Sequence, residues 1–139
     1  MIDKTILVLG AGRDQLFLIK TAKKLGMKVI AVDKNKDAEG AELADKFLNI
    51  STRNVSAIIQ SLGSFAFSEV KIDGVITMGS DIPEAVAEIS QHLNLPSLGM
   101  ESALSAKNKY KMKQKFKMEE VSTPKFILLS EQTELKKAF

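Results

Sequence analysis

The stretch "LGAGRDQ" places Gly10 and Gly12 between an apolar run and a predicted helix. Glycines there let the chain turn sharply, and the open backbone N–H groups at a helix start can hold an anion. A full dinucleotide fingerprint has a third glycine where Gln15 stands. Without it, helix and strand approach less closely and the pyrophosphate signal is weak. Asp33, at the end of the second apolar run, can accept hydrogen bonds from a ribose hydroxyl or cap the turn that follows. "TMGSD" repeats the pattern further on. Gly79, Ser80 and Asp81 fall at a strand's carboxyl end, where open parallel sheets bind ligands. Ser80 or Asp81 can also N-cap the next helix, which carries Pro83 in its first turn. These residues alone leave three readings open: a nicotinamide cofactor, another small ligand in the same crevice, or a structural loop. They include no metal-ligand constellation.

The elements that must carry these loops alternate. "TILVL" (5–9) is continuously apolar, as a strand buried on both faces should be. A helix is expected over 14–26, with Leu18, Ala22 and Leu25 on one face and Gly26 as its stop. "KVIAV" (28–32) is a second strand, "AEGAELA" a turn or short helix, and "KFLNI" (46–50) a third strand. Residues 54–70 predict a helix weakened at Gly63, 73–78 a fourth strand, and 82–93 a helix with Val86, Ile89 and Leu93 on one stripe. "LPSLG" (95–99) can hold a short fifth strand. Strand–helix alternation predicts an α/β fold, a Rossmann-like doubly wound parallel sheet with right-handed crossovers.

Beyond residue 100 the composition changes. "MESALSAKNKYKMKQKFKMEE" reads as helix, "VSTP" as a break, "KFILL" (125–129) as a strand, and Ser130 as the cap of another helix. A helix, a strand and a begun helix cannot bury a core alone, so a second domain is expected to start here and stop early. Lys107, Lys109, Lys111, Lys113, Lys115 and Lys117 occupy every second position. On a helix such steps scatter the lysines around the axis. Leu104, Met112, Phe116 and Val121 suit a partly buried helix.

The chain has 139 residues, 45% hydrophobic and 27% charged, an ordinary globular composition. It has no cysteine, which excludes disulfides and thiolate metal sites and suits a cytoplasmic protein. No apolar run nears the ~20 residues of a membrane span, and the N-terminus shows no signal-peptide pattern. Net charge is +3; the six lysines at 107–117 exceed that, so the rest of the chain is net negative. Basicity this local argues against nucleic acid, despite Tyr110 and Phe116 among the lysines. His92 reads as a surface residue.

"TILVLGAGRDQLFLIKTAKKLGMKVIAVDKNKDAEGAELADKFLNIS", then "DGVITMGSDIPEAVAEISQHLNLPSLG" and "SAKNKYKMKQKFKMEEVSTPKF", resembles the N-terminal region of ATP-grasp ligases. The likeness is greatest to the carbamoyl-phosphate-synthase-like and phosphoribosylglycinamide ligase-like members. It implies a pre-ATP-grasp domain over 1–103, and over 104–139 a linker helix and the first elements of an ATP-grasp domain. It implies ATP-dependent carboxylate–amine ligation through an acyl phosphate, with ATP and Mg²⁺ serving the full-length enzyme. By the same resemblance Lys109 contacts ATP phosphate, while Gly10, Gly12, Arg13, Asp14, Asp33, Ser80 and Asp81 help hold the second substrate. Arg13 suits a phosphate or carboxylate. That substrate is a small carboxylate or amine, phosphorylated in some relatives.

The lid, the adenine-clamping lysine and the magnesium ligands of the family fall outside these residues. No catalytic residue, no metal ligand, no tightly bound cofactor and no ligase activity are therefore expected of this piece. No nucleic acid or membrane partner is expected, and a homodimer is allowed for. The alternatives are an NAD(P)-binding oxidoreductase domain and a free-standing small-ligand module. Two departures from the family pattern stand out: Asn108 where aspartate is usual, and Glu120 where glycine is usual.

Overall fold

A computed structural model describes residues 3–64 and 70–129. Four parallel strands form one sheet in the order β3-β2-β1-β4. They are β1 (Thr5–Leu9), β2 (Lys28–Val32), β3 (Lys46–Leu48) and β4 (Gly74–Ile76). β1 is central: it pairs with β2 from Thr5↔Lys28 to Leu9↔Val32, and with β4 from Ile6↔Gly74 to Val8↔Ile76. The chain winds outward from β1 in one direction, through β2 and β3, and then crosses to the other side for β4. The crevice between the tips of β1 and β4 is therefore the topological switch point, where this architecture places ligands.

The sheet is buried on both faces, and strand alternation sorts its side chains. Leu7, Leu9, Ile30, Val32 and Leu48 meet Ile58 and Leu62 of α2 (Val55–Leu62) and Ala85 and Ile89 of α3 (Pro83–His92). On the other face, Val8, Val29 and Ala31 meet Ile19 and Ala22 of α1 (Leu16–Lys24), together with Ala11 and Ala38. Helices on both faces make the sheet doubly wound, as the alternation predicts. α2 starts at Asn54, whose side chain accepts the Ala57 N–H at 3.2 Å, and ends at Gly63. The rest of the helix expected over 54–70 includes residues outside the described ones.

The buried stripe of α1 differs from the expected one. Ile19 and Ala22 are buried, Leu18 is partly buried, and Leu25 is 48% exposed. A 3₁₀ turn at Arg13–Gln15 precedes α1. The buried positions Gln15, Ile19 and Ala22 follow ordinary helical spacing, one step round from the expected face, which leaves Leu25 at its edge. The helix also ends at Lys24, leaving Leu25 as its C-cap. Residues 95–99 form no strand, and Leu98 is exposed. Pro96 has no N–H to offer a ladder there, so β4 is the sheet's edge among the described residues. Residues 125–129 pair with nothing either, and Ile127 and Leu128 stand more than half exposed. A strand forms only against a partner, and the described residues supply none to this segment. The helix expected from Ser130 lies outside the described residues.

The lysine-rich segment is two helices, α4 (Met100–Lys107) and α5 (Lys109–Met118). Asn108 breaks them with extended backbone, and its Oδ1 accepts the Lys111 N–H at 3.0 Å. This departure from aspartate is thus an N-cap. Ala103 is fully buried; of the four residues expected to make this helix partly buried, Met112 is half-buried while Leu104, Phe116 and Val121 are exposed. α4 lies against α3 with a small residue inward, leaving its longer apolar chains outside. Glu120 takes the left-handed conformation, φ +56°, with Val121 N–H bonded to Phe116 C=O at 2.8 Å. This is the helix-ending motif that favours glycine. The turn forms without one, at a cost of about 1–2 kcal/mol. No helix among the described residues is long and apolar enough to cross a membrane.

Gly40 is the tightest joint in the first half of the chain. Its N–H donates to Ala11 C=O at 2.7 Å, and a Cβ on it would lie 2.7 Å from both that oxygen and Ile19 Cδ1. Gly40→Ala is expected to destabilise the domain by about 1–3 kcal/mol through overpacking, read as a lower urea midpoint at unchanged slope. An unchanged midpoint would show that the 38–44 turn is not clamped to the glycine loop.

Candidate functional site

The site is built where β1, β2 and β4 run out. Gly10 follows β1 with φ +106°, a conformation open to glycine, and its N–H donates to Val32 C=O at 2.8 Å. The next N–H, of Ala11, donates to Asp33 Oδ2 at 2.9 Å, and Asn35 N–H donates to Oδ1 at 2.9 Å. Both carboxylate oxygens of Asp33 are therefore engaged by backbone. One pins the glycine loop and the other closes the turn after β2. Gly12 has ordinary extended backbone and room for a Cβ, so its geometry alone does not require glycine.

Gln15 is buried, and it crosses the crevice. Its Nε2 donates to Met78 C=O at 2.5 Å and reaches Ser80 Oγ at 3.3 Å. Its carboxamide also fills the space over Gly10, where a Cβ would come within 2.8 Å of it. Thr77 Oγ1 donates to Leu9 C=O at 2.8 Å, a second tie between the two tips. Gly79, φ +70°, turns the loop back beside Asp14, and a Cβ on it would lie 3.5 Å from Asp14 Cβ. The loops after β1 and β4 thus form one wall of residues 10–15 and 77–81.

Arg13 and Asp14 stand exposed on that wall, with no side-chain hydrogen bond or ion pair among the described residues. Asp81 is exposed beside them, also unpartnered among those residues. The expected N-cap by Ser80 or Asp81 does not form. Ile82 occupies the cap position with no side-chain bond, and Pro83 follows it. A buried apolar residue anchors the loop there instead, which leaves Ser80 and Asp81 facing outward. The wall offers one guanidinium, two carboxylates, a hydroxyl and the start of the 3₁₀ turn before α1, which no side chain caps. That set can hold a small molecule bearing both an anionic group and hydrogen-bond donors.

Lys109 is placed by a different joint. It opens α5, and its Nζ donates to Ala106 C=O at 3.2 Å. Lys107 is ion-paired to Glu84 in the first turn of α3, which brings the α4–α5 junction to the same end of the sheet as Ser80 and Asp81. The Lys107 hydrogen bond holds the Glu84 carboxyl below its ordinary range against the opposing effect of burial. Of the other lysines, Lys115 pairs with Glu101 at 2.6 Å and Lys113 lies 5.6 Å from the Phe126 ring centroid. Tyr110 meets Phe126 edge-on at 5.7 Å, so these rings contact each other. A separate depression of about 740 Å³ runs between α5 and residues 123–128. Among the described residues no group of three His, Asp or Glu side chains is placed to hold a metal ion.

Three contributors escaped the sequence reading. Gln15 registered only as a missing glycine, and Thr77 and Gly40 not at all. The one available signal was an amide residue buried in a helix's first turn, where a polar side chain needs a nearby partner.

Comparison with known proteins follows the same lines. The family described as ATP-grasp N-terminal domain matches residues 19–97, more than half of the chain. Phosphoribosylglycinamide synthetase from Anaerococcus prevotii superposes with a TM-score of 0.75 at 34% identity, over 99% of this chain and 34% of that one. N5-carboxyaminoimidazole synthetase from Staphylococcus aureus, solved with ADP, has a TM-score of 0.75 at 20% identity, over 99% of this chain and 35% of its own. Formate-dependent phosphoribosylglycinamide formyltransferase from Prochlorococcus marinus (strain MIT 9515) is 38% identical over 61 residues, 44% of this chain and 16% of that protein. The chain spans about a third of the solved relatives' length.

The depressed Glu84 pKa fixes a pH window. A carboxyl lowered in the fold contributes stability that is complete above its ordinary value of 4.5 and is lost as pH falls through the lowered one. Acidification is expected to release the α4–α5 junction, seen as faster amide exchange at Asn108 to Lys111. Glu84→Gln should show that looseness already at neutral pH and no acid step. An identical acid step in both proteins would rule out the Glu84–Lys107 tie.

Proposed function

Because the chain belongs to the ATP-grasp N-terminal domain family, we propose that it supplies the substrate-holding half of the cleft of an ATP-dependent ligase. In this reading residues 1–103 are the pre-ATP-grasp domain and 104–139 begin the ATP-grasp domain. The observation that carries the reading is the pair of loops joined across the switch point, with Arg13, Asp14 and Asp81 left unpaired on their outer side. The nicotinamide reading has less support, because the Gln15 side chain fills the position that a dinucleotide fold leaves to glycine.

The proposed substrate is a small amine or carboxylate carrying an anionic group, and a ribonucleotide phosphate fits that description. Arg13 takes the phosphate or carboxylate in a two-point contact. Ser80 Oγ, Asp14 and Asp81 accept from amine or hydroxyl donors and orient the nucleophile. Lys109 turns a point charge toward the phosphate side of the cleft. ATP, when bound, supplies the phosphoryl group that activates a carboxylate for attack. A magnesium ion has no donor set among the described residues, so no step here runs through one. The cleft holds one reactant in position, and the entropy saved by positioning is its contribution to rate. A cytoplasmic setting belongs to the same proposal. So does a homodimer, which the exposed Met118, Val121, Ile127 and Leu128 favour.

The test is titration of the 139-residue chain with glycinamide ribonucleotide, followed by amide chemical shifts. The expected result is shifts at Gly10, Gly12, Arg13, Ser80 and Asp81, and binding weakened about 10–100-fold by Arg13→Ala, as losing a charged hydrogen-bond pair implies. Ligation with ATP by the isolated chain is expected to be nil. Shifts confined to other regions, an affinity indifferent to Arg13, or measurable turnover would each overturn part of this reading.

A further inference from the structure

β4 holds β1 through three registered residues, and its last pair is Val8↔Ile76. The residues meant to face a ligand come after it, at 79–81. No strand covers the far side of β4 among the described residues. Backbone pairing alone therefore leaves the loop after β4 to swing. Two side-chain bonds continue the ladder beyond Ile76: Thr77 Oγ1 to Leu9 C=O at 2.8 Å, and Gln15 Nε2 to Met78 C=O at 2.5 Å. Gln15 is the longer bridge, coming from the turn before α1, and it also contacts Ser80 Oγ at 3.3 Å. It is 5% exposed, so its amide nitrogen has little water to fall back on. Losing the bond leaves a buried donor unmet. Gly10 completes the fit, since any Cβ there would collide with the carboxamide at 2.8 Å.

We propose that Gln15 is a positioning residue: its side-chain amide latches the loop after β4 onto the glycine loop and so fixes where Ser80 and Asp81 stand in the cleft. The latch follows from the geometry alone; its consequence for a ribonucleotide rests on the function proposed above. The latch acts through Met78 and Ser80. Substituting Gln15 therefore loosens one loop and leaves the sheet and both helix layers intact. Thr77 acts in parallel, and the two bonds together hold one segment of five residues.

The experiment compares the full chain with its Gln15→Met and Thr77→Val forms by residue-resolved backbone relaxation. Methionine keeps the length and volume of the side chain and removes the donor. Order parameters at Gly79, Ser80 and Asp81 are expected to fall in Q15M from about 0.85, the rigid range, to below about 0.6. Those of β1, β2 and α2 should keep their wild-type values. Unchanged order parameters at 79–81, or a fall spread equally over the chain, overturn the latch. The wild-type chain gives a second measurement that needs no variant. A latched Gln15 has one side-chain N–H that exchanges slowly with water and lies close to Ser80 protons. Rapid exchange of both side-chain N–H protons, with no proximity to Ser80, overturns it as surely. Glycinamide ribonucleotide binding separates the two claims. Failure of the wild-type chain to bind it counts against the substrate reading, while the relaxation and side-chain exchange data decide the latch.

Discussion

A parallel sheet delivers its strand tips to one end, and there its backbone hydrogen bonds run out. This constraint governs the cleft. The last pair of the β1–β4 ladder is Val8↔Ile76, and every residue assigned to ligand contact lies beyond it or beyond its counterpart on β1 and β2. Backbone groups past the ladder need other partners. Here they find Asp33 and Thr77, at the tips of β2 and β4, and Gln15, in the turn before α1. Each satisfies a neighbouring strand's orphaned backbone group, and together they turn three loose loops into one wall.

That arrangement explains which polar residues are spent on structure and which are left over. Asp33 is used twice by backbone N–H groups, and Gln15 is buried. Arg13, Asp14 and Asp81 sit one or two positions away on the same loops and remain exposed. Side chains of similar chemistry thus divide by geometry into those that tie the strand tips together and those left exposed beside them. The α4–α5 junction joins the same end through Lys107 and Glu84, so one lysine of the run is structural and the cation two residues on, Lys109, starts a helix.

Much of the fold was legible because its signals are strong and local. The continuous apolar runs of β1 and β2 identify strands buried on both faces, and the alternation with helices identifies the parallel winding. Gly26 follows the end of α1 as its glycine signal suggested, whereas α2 ends at Gly63, where the sequence indicated only a weakened helix. Legibility failed where a segment depends on a partner. "KFILL" and "LPSLG" have strand-like composition but no neighbour to pair with. Leu25 lost its place because the buried stripe runs through Gln15, Ile19 and Ala22, one step round from the face its apolar residues suggested, and because the helix ends before it. In the site, the glycine loop and the residues after β4 could be read from their positions at strand ends. The contact between them could not, because Gln15 and Met78 are 63 positions apart and only the crossover brings them together. Glu120 shows the same limit from the other side: the left-handed turn after α5 forms without the glycine that would have announced it.

The central claim is that the tips of β1 and β4 hold a small anionic substrate. A crystal structure of the chain grown with glycinamide ribonucleotide tests it directly. The account predicts the phosphate against Gly10 to Arg13 and the amine beside Ser80 and Asp81, with Gln15 still bridging beneath. A ribonucleotide seated instead in the depression between α5 and residues 123–128 would contradict it.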